Sequence, residues 1–373
     1  MIDNESIPKM VRMCSSCPKM CRHVCPTFLA WRSDSPTPHG RALLVHYDEK
    51  GVRPLDERGI EVLYQCLECS HCLTWCLPEI DIAEIVETVR IRLVSEGRQP
   101  VGLNRLESTV KEHHNPYGEE HSKRTSWMEM QKGGKTSIAY FSGCTAAYRE
   151  EQIAKDTVSV LSSLGYSVHV TPDEWCCGSP LLRTGFVETA LEQARHNVEV
   201  FNSLDVDEIV VTCPGCYRVL TKDYPSHGLE ISKPIRHLSE LLDSRIKDLG
   251  SGKITGRITY HDPCHLGRHC GVYEQPRSVI NRVSGGNLVE MERSGDNSMC
   301  CGNGAGLRTL FPEKAKIIGT ERVHQAKQIG ADTLVTACPF CKNMLASQAG
   351  PDLSVFDLSE FIVMAQKGER VHK

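Results

Sequence analysis

Apolar residues recur at helical spacing early in the chain and form short runs later. The clearest helical stretch places five apolar side chains on one face of a helix that we expect to end at Gly97. Those residues are Ile82, Ile85, Val86, Val89 and Leu93. Residues 1–100 are therefore predicted to form a small, mainly helical domain. Residues 101–136 are polar, include Asn115-Pro116 and the run from Lys132 to Lys135, and are predicted to be an extended linker.

From residue 137 onward, short apolar runs alternate with longer helical patterns. The predicted order in the first stretch is a strand up to residue 144, a helix over 146–164, a strand over 166–170, a helix over 186–203 and a strand over 208–212. Strands that alternate with helices favour parallel βαβ units. The fold class is therefore predicted to be α/β, preceded by a helical domain.

Composition narrows the class of protein. A chain of 373 residues is long for one ordinary core and indicates two or three domains, which its 40% hydrophobic residues are sufficient to bury. A net charge of −4 and a pI near 6.5 argue against a nucleic-acid-binding protein. Residues 1–13 lack the apolar core of a signal peptide, and no window approaches 18 apolar residues. We therefore expect a cytoplasmic protein that meets a membrane through a partner, if at all.

Cysteine spacing indicates the chemistry, because 18 of the 19 cysteines fall into four clusters. The run Cys66, Cys69, Cys72 and Cys76 has the C-x2-C-x2-C-x3-C spacing of bacterial ferredoxins. The earlier run of Cys14, Cys17, Cys21 and Cys25 has one additional residue between its second and third cysteines. Zinc usually binds two well-separated cysteine pairs, so this spacing favours iron–sulfur clusters over zinc.

The two ferredoxin-type runs are expected to exchange ligands. In two-cluster ferredoxins, the fourth cysteine of each run binds the cluster of the other run. One cubane [4Fe–4S] cluster is therefore expected on Cys14, Cys17, Cys21 and Cys76. The second is expected on Cys66, Cys69, Cys72 and Cys25.

The other ten clustered cysteines form an internal repeat whose equivalent positions lie 120 to 125 residues apart. The first set is Cys144, Cys176, Cys177, Cys213 and Cys216, and the second is Cys264, Cys300, Cys301, Cys338 and Cys341. Five thiolates exceed the four that a cubane cluster needs, which predicts a cluster of unusual shape. The repeat predicts two domains, 137–250 and 251–373, that face each other about a pseudo-twofold axis.

These motifs resemble a known family. The patterns C-x31-C-C-G-x34-C-x2-C and C-x35-C-C-G-x35-C-x2-C look like CCG domains, and their order after two ferredoxin runs resembles the D subunit of heterodisulfide reductase. The wider family includes the iron–sulfur subunits of glycolate oxidase and anaerobic glycerol-3-phosphate dehydrogenase. The segments that carry the resemblance are 141–145, 174–178, 260–268 and 337–342. It implies that each CCG set binds a non-cubane [4Fe–4S] cluster and that the pair splits a disulfide between them.

Two functions remain open at this point. One is an electron relay between a flavoprotein, such as an electron-transfer flavoprotein or a FAD-linked dehydrogenase, and an acceptor. The other is a disulfide reductase, with Cys177, Cys301 and His265 as candidate catalytic residues. The chain has no G-x-G-x-x-G dinucleotide motif, so a flavoprotein or a membrane cytochrome is expected as its redox partner. The irregular first run slightly favours the relay.

Several polar and aromatic residues flank the clustered cysteines. A basic group near Cys264 is interpreted either as a rim for an anionic substrate or, preferably, as hydrogen-bonding support for a cluster. Its members are His261, His265, Arg268 and His269. Trp75 and Trp175 are interpreted as solvent shields, and Cys270 as a lone buried thiol.

Overall fold

The computed structural model describes residues 6–128, 136–250, 254 and 256–367. The run from Lys132 to Lys135 in the predicted linker, and the predicted domain boundary at residue 251, lie outside the described residues.

The described chain up to residue 128 consists of helices and loops. Its first five helices are α1 (Ile7–Ser15), α2 (Pro26–Trp31), α3 (Pro38–Glu49), α4 (Glu57–Tyr64) and α5 (Ile82–Ser95). Helix α5 is the one predicted from the apolar spacing, and its predicted apolar face is buried. Asp81 caps its N-terminus by accepting a hydrogen bond from the Ala83 N–H at 2.9 Å. The helix ends two residues before Gly97, whose φ of +68° suits a helix terminus.

The prediction of an extended linker over residues 101–136 was wrong, because this segment contains helix α6 (Asn104–His113). Glu107 and Lys111, one helical turn apart, form an ion pair at 2.8 Å, and Val110 is buried. The helix is also tied to the following domain, since Glu107 accepts a hydrogen bond from the Thr189 hydroxyl at 2.7 Å. A polar sequence can thus form a packed helix when its few apolar residues meet a neighbouring core.

The first CCG region contains a four-stranded parallel sheet with strand order β2-β1-β3-β4. Its elements are β1 (Thr136–Phe141), α7 (Gly143–Tyr148), α8 (Glu151–Ser163), β2 (Tyr166–His169), α9 (Ser179–Leu182), α10 (Val187–Ser203), β3 (Glu208–Val211), α11 (Pro214–Arg218), α12 (Tyr224–Ser226), β4 (Ile235–His237) and α13 (Leu238–Ser244). The helix predicted over 146–164 is two helices, because the N–H groups of Arg149 and Glu150 both donate to the Thr145 carbonyl and break the regular ladder.

The second CCG region contains a three-stranded parallel sheet with strand order β5-β6-β7. Its elements are β5 (Ile258–His261), α14 (Glu274–Ser284), α15 (Leu307–Leu310), α16 (Pro312–Gln328), β6 (Thr333–Thr336), α17 (Pro339–Ala349), β7 (Ser354–Asp357) and α18 (Leu358–Lys367). The same layout was expected in both copies, but the described residues here have a single bridge between Ile258 and Leu288 where the first copy has β2. Gly285 and Gly286 both have positive φ and turn the chain just before that bridge.

Both sheets contribute to one shared core. A single buried cluster includes Ile138 and Val210 from the first sheet together with Tyr260 and Val335 from the second. A second cluster joins the N-terminal helices to the other face of the first sheet, for example Val86 with Phe141 and Val211 among its members. No helix in the described part of the chain combines the length and apolar character needed to span a membrane.

Candidate metal centres

The first ferredoxin-type site (Cys14, Cys17, Cys21 and Cys76) lies between helix α1 and the loop before α5. Burial, followed by the negative charges of three neighbouring thiols, raises the pKa of Cys14 to about 12. Those neighbours are Cys21, Cys17 and Cys76. Burial also raises the pKa of Cys21 to about 12, with Cys25 and Cys76 as its strongest charged neighbours. Cys76 thus lies beside Cys14 and Cys21, the members of the other run.

The second ferredoxin-type site (Cys25, Cys66, Cys69 and Cys72) surrounds a small internal cavity. All four cysteines line this cavity of about 20 Å³, although Cys25 comes from the first run. Helix α2 begins at Pro26 and fixes the position of Cys25. The structure therefore brings together the same four cysteines that the ferredoxin rule assigns to one cluster.

Backbone donors point at sulfur in these loops. The Glu68 N–H donates to Cys66 Sγ at 3.4 Å, and the Ile80 N–H donates to Cys76 Sγ at 3.3 Å. Such donors stabilise a thiolate and tune the potential of a bound cluster. Burial, followed by the charges of neighbouring thiols, raises the pKa of Cys14 and Cys21, so these thiols favour ionisation only with a compensating cation. The donor set of four cysteine sulfurs suits a thiolate-binding metal cluster.

The first CCG site (Cys144, Cys176, Cys177, Cys213 and Cys216) lies at the carboxyl edge of the first sheet. Helix α7, which carries Cys144, begins two residues after the end of β1, and Cys213 is the N-cap of α11 after β3. Open α/β sheets place their ligands at this edge. Gly143 has φ +71°, and a Cβ added there would lie 3.1 Å from Cys216 Sγ, so glycine provides room for the sulfur.

The second CCG site (Cys264, Cys300, Cys301, Cys338 and Cys341) follows the same plan on the second sheet. Cys338 is the N-cap of α17, and its sulfur accepts a hydrogen bond from the Cys341 N–H at 3.3 Å. Gly302 has φ +91°, and a Cβ there would lie 2.6 Å from the Ala315 carbonyl oxygen. A side chain at this position would collide with the backbone of α16, so the Cys-Cys-Gly motif needs glycine here.

The two CCG sites line one shared cavity of about 550 Å³, and all ten of their cysteines border it. Hydrogen bonds from Cys216 and then Cys338 hold the pKa of Cys213 well below its usual range, although burial opposes them. Cys213 belongs to the first site and Cys338 to the second, so the two sites are neighbours in the fold. A molecule in this cavity would meet both sites at once.

A direct contact also joins the second ferredoxin-type site to the second CCG site. A hydrogen bond from Cys300 is the main cause that lowers the pKa of Cys69 to about 6. The Arg268 Nε donates to the Cys69 carbonyl oxygen at 2.5 Å, and His269 Nε2 bonds to the Glu68 carbonyl oxygen at 2.8 Å. These hydrogen bonds hold the second ferredoxin-type run against the segment that follows Cys264 of the second CCG site.

The basic group near Cys264 is split among three environments. Arg268 and His269 bind backbone carbonyls of the second ferredoxin-type run, not cluster sulfurs as the sequence suggested. His261 is buried with Cys301 and Cys341, and the ligand atoms of these three residues all lie within 4.8 Å of one another. Of the four basic residues, His265 borders the shared cavity. Burial is the main cause that keeps its pKa well below the usual value.

The three other residues singled out beside the clustered cysteines also occupy different environments. They are Trp75, Trp175 and Cys270. Trp75 is 42% exposed, so it shields its neighbouring cysteine incompletely. Trp175 is stacked between His114 and His196, with ring centroids 3.5 and 3.6 Å away. Cys270 is half-buried, not buried as expected, and burial raises its pKa to about 11.

A buried ion pair beside the first CCG site was missed by the sequence reasoning. Arg124, from the segment predicted as a linker, pairs with Glu174 and lies 3.8 Å from Cys144 Sγ. Glu174 also accepts hydrogen bonds from the Ser142 and Gly143 N–H groups at 2.8 and 2.9 Å. The pair fixes the Cys144 loop and brings a positive charge to its thiolate. The feature of the sequence that could have indicated this ion pair is Glu174, an acidic residue two positions before Cys176.

The shared cavity has cationic groups that the sequence did not single out. Arg308 from the second half and Arg149 from the first half both border the cavity, and both are exposed. Arg149 pairs with Glu119 at 2.7 Å, which neutralises its charge. Arg308 instead donates to the Asn343 side-chain oxygen at 2.7 Å. Its charge therefore remains available to a bound anion.

Both halves of the chain match the same family model, and most of the chain is similar to known oxidoreductases. The cysteine-rich CCG domain model matches residues 138–221 and 258–346. The chain is 36% identical to the D subunit of the dihydromethanophenazine:CoB–CoM heterodisulfide reductase of Methanosarcina barkeri, over 90% of this chain and 86% of that protein. It is 29% identical to the EtfAB:quinone oxidoreductase of Syntrophomonas wolfei, over 84% of this chain and 48% of that protein.

One solved structure supports the similarity at the level of fold. The chain resembles the crystal structure of a hypothetical protein from Helicobacter pylori, with a TM-score of 0.57 and 12% sequence identity. The match covers 88% of this chain and 68% of the other. At this identity the resemblance concerns the fold alone.

Proposed function

This chain belongs to the family of heterodisulfide reductase D subunits and is an iron–sulfur electron-transfer subunit of an oxidoreductase, and we propose that it delivers electrons to a disulfide in the shared cavity. In this proposal the two ferredoxin-type sites each hold a cubane [4Fe–4S] cluster. The two CCG sites each hold a non-cubane [4Fe–4S] cluster. The cysteine-only donor sets of all four sites support this assignment.

The shared cavity is the observation that carries the proposal. Cleavage of a disulfide consumes two electrons and two protons and releases two thiols. When bound, the two CCG clusters would supply those two electrons. A cavity bordered by both sites would allow one bound disulfide to reach both of them.

The chain's own residues hold and orient the disulfide in this function. Cys177, Cys301 and His265, the candidate catalytic residues, all border the cavity. Arg308 offers an unneutralised cation to an anionic substituent of the substrate. The cavity is also open to solvent water, which can deliver the two protons.

Contacts between the sites support one order of electron flow. Cys69 of the second ferredoxin-type site is a neighbour of Cys300 of the second CCG site. Cys213 and Cys338 are likewise neighbours, one from each CCG site. The first ferredoxin-type site is connected through Cys21, whose charge acts on Cys72. Electrons would thus pass from the first to the second ferredoxin-type site, then to the second CCG site and the cavity.

A second candidate function is the electron relay between a flavoprotein and an acceptor, which the sequence alone slightly favoured. Its support is the similarity to a relative named EtfAB:quinone oxidoreductase over 84% of this chain. In either function we propose a partner protein, either a flavoprotein or a membrane cytochrome, and a cytoplasmic location. Multi-subunit relatives support a partner of this kind.

The proposed organisation has four parts: a ferredoxin-type domain over 1–100, a connecting segment over 101–136, and CCG domains over 137–250 and 251–373. Two parallel sheets and two CCG matches support the division of residues 137–373 into two domains. We further propose that the two CCG domains are related by a pseudo-twofold axis, which the facing cysteine sets in one cavity support.

Disulfide turnover by the purified protein tests the proposal. Anaerobically loaded protein is mixed with reduced methyl viologen as donor and a small carboxylate-bearing mixed disulfide as substrate. We expect dye oxidation to depend on the disulfide, and Cys177→Ser or Cys301→Ser to abolish it. Cys270→Ser is the matched control, because this half-buried thiol belongs to none of the four sites.

The relay makes the opposite prediction. Negligible disulfide turnover, together with rapid electron exchange with a purified electron-transfer flavoprotein, would favour the relay over the reductase. Iron content is measured for every variant, so that loss of a cluster is distinguished from loss of chemistry.

A further inference from the structure

Four large apolar side chains are exposed around the first ferredoxin-type site. Their exposed fractions are 45% for Met13, 53% for Met20, 42% for Trp75 and 86% for Leu77. Each one is adjacent in sequence to a cysteine of that site: Cys14, Cys21 or Cys76. Exposed apolar side chains therefore surround the thiols of this site.

These side chains belong to one continuous surface, although they come from two distant runs. The cysteines they flank lie together in the first ferredoxin-type site. The rings of His23 and Trp75 meet edge to face with centroids 4.6 Å apart, and His23 Nδ1 bonds to the Met20 carbonyl oxygen at 3.0 Å. The first-run loop and the second-run loop thus form a single patch, which we call the first-site surface.

The first-site surface is bordered by positive charge. Its cations are Lys9, Arg12, Lys19 and Arg22. Lys19 and Arg22 share one carboxylate, Asp34, at 3.1 and 2.5 Å. Lys9 and Arg12 lie at exposed positions on α1, the helix that carries Cys14, and neither forms an ion pair with another described residue. The first-site surface thus presents two exposed cations from α1 in addition to the Lys19–Asp34–Arg22 group.

Burial distinguishes this site from the others. Cys17, Cys21 and Cys76 are only partly buried, whereas eight of the ten CCG cysteines are buried. Electron transfer between proteins needs a redox centre close to the contact surface. The first-site surface is therefore the place where a partner can approach the chain's iron–sulfur centres most closely.

We propose that the first-site surface is the docking site of an acidic redox protein, and that electrons enter the chain there. This inference rests on the proposed electron-transfer function and adds to it the position and the charge of the partner. The step balances simply: the donor protein loses one electron, this chain gains it, and no covalent bond forms or breaks. An apolar centre with a charged rim is typical of a small, transient contact.

Charge reversal tests the inference through the kinetics of association. The loaded full-length protein is reduced in stopped flow by an acidic ferredoxin or, in parallel, by a basic c-type cytochrome, at low and high salt. The test variant is Lys9→Glu with Arg12→Glu, since both residues are exposed and lie outside the cysteine sets. The control is Lys155→Glu with Arg195→Glu, two exposed helical cations on α8 and α10 that give the same change in net charge.

Electrostatic steering predicts a specific pattern. For the acidic donor at low salt, we expect the second-order rate constant of the test variant to fall about tenfold, with a much smaller effect at high salt. The control variant should change by less than about twofold. Leu77→Ser should lower the rate at both salt concentrations, because it removes apolar contact and no charge. Iron content and the visible spectrum should match the parent protein in each variant.

Two results would overturn the inference. One is an equal loss of rate in the test and control variants, which would indicate a net-charge effect without a docking site. The other is faster reduction of the parent protein by the basic donor than by the acidic one. Neither result bears on disulfide reduction driven by the dye, so failure of the docking site and failure of the proposed function remain distinguishable.

Discussion

At the residue scale, backbone strain is concentrated at the ferredoxin-type cysteines. Seven described non-glycine residues have positive φ, and four of them lie in or next to these two runs. The four are Lys19, Glu68, Ser70 and Glu79. Non-glycine residues in this conformation are costly and persist where the surroundings hold them. Ligation of a cluster by the adjacent thiolates is the natural source of that restraint, so cluster binding and folding of these loops are coupled.

Cys25→Ser tests the exchange of ligands between the two runs. Because Cys25 shares a cavity with Cys66, Cys69 and Cys72, we expect this substitution to damage the second ferredoxin-type site and not the first. Electron paramagnetic resonance of the reduced protein should then lose the same signal in Cys25→Ser as in Cys72→Ser. Cys17→Ser is the comparison for the first site. A spectrum of Cys25→Ser that matched Cys17→Ser would contradict the assignment.

Arg308→Gln tests the role of the free cation in the shared cavity. The Arg308 side chain donates to the Asn343 amide oxygen, and no carboxylate of the described chain pairs with it. For a disulfide that carries carboxylates, we expect KM to rise about tenfold with kcat nearly unchanged. A neutral disulfide should be unaffected, and Arg308→Lys should retain part of the affinity. Equal effects on neutral and anionic disulfides would argue against charge recognition.

At the scale of elements, strand ends and helix starts position the chemistry. Cys213 and Cys338 are the N-caps of α11 and α17, each directly after a parallel strand. Helix N-termini offer N–H donors and a positive dipole end, which stabilise a thiolate. The same construction on two sheets brings these two thiols into contact. Helix termini therefore supply both the position and part of the electrostatics of the CCG sites.

Asp357, the last residue of β7, should make stability depend on pH. Burial, followed by the charge of Glu360, raises its pKa to about 8, although hydrogen bonds from Ser359 oppose this. An unfolded aspartate titrates near pH 4. The folded protein thus holds a proton that the unfolded chain has released, and stability is lost as pH rises from about 4 to 8.

Asp357→Asn is the corresponding variant, because it removes the titration and keeps the Oδ1 acceptor that Ser359 uses. We expect the fall in Tm between pH 6 and pH 8 to become smaller by about 3 °C. Asp352→Asn, at an exposed position, is the control and should leave the fall unchanged. An identical pH profile for Asp357→Asn and the parent protein would show that this carboxyl is already ionised in the folded state.

At the scale of the whole molecule, one shared core and a series of neighbouring thiols connect four cysteine sets. Cys69 of the second ferredoxin-type site neighbours Cys300 of the second CCG site, and Cys213 and Cys338 are neighbours from the two CCG sites. The core that joins the two sheets keeps these contacts in register. This order of sites supports the proposed path of electrons through the chain.

Metal analysis tests the arrangement as a whole. If all four sites are filled, anaerobically purified protein should contain roughly 16 iron atoms per chain and an equal amount of acid-labile sulfide. Roughly 12 iron atoms would indicate one empty site, and the cysteine variants described above would identify it. Zinc as the dominant metal would refute the iron–sulfur assignment. Removal of iron with a chelator should also unfold the ferredoxin-type loops, which circular dichroism can measure.

The sequence by itself determined the chemistry and the local elements. Cysteine spacing identifies ligand sets because one short loop can surround a cluster only with a few fixed separations. Apolar spacing likewise located α5 and the strand β3, because burial on one face imposes a period on the chain. The same local signals failed in the predicted linker, where a polar segment forms α6, and in the second sheet, which has no described counterpart of β2.

Only the tertiary structure determines how the four cysteine sets lie relative to one another. Three features join residues that are far apart in the chain. They are the placement of both CCG sites on one cavity, the proximity of Cys69 to Cys300 and the position of Arg308 at the cavity. Likewise, Arg124 reaches Cys144 from a segment with no cysteine motif. A sequence pattern reports which residues share a turn or a face, because these relations follow from the period of the backbone. Contacts across 100 residues or more depend on how whole sheets and helices pack, which no local pattern encodes.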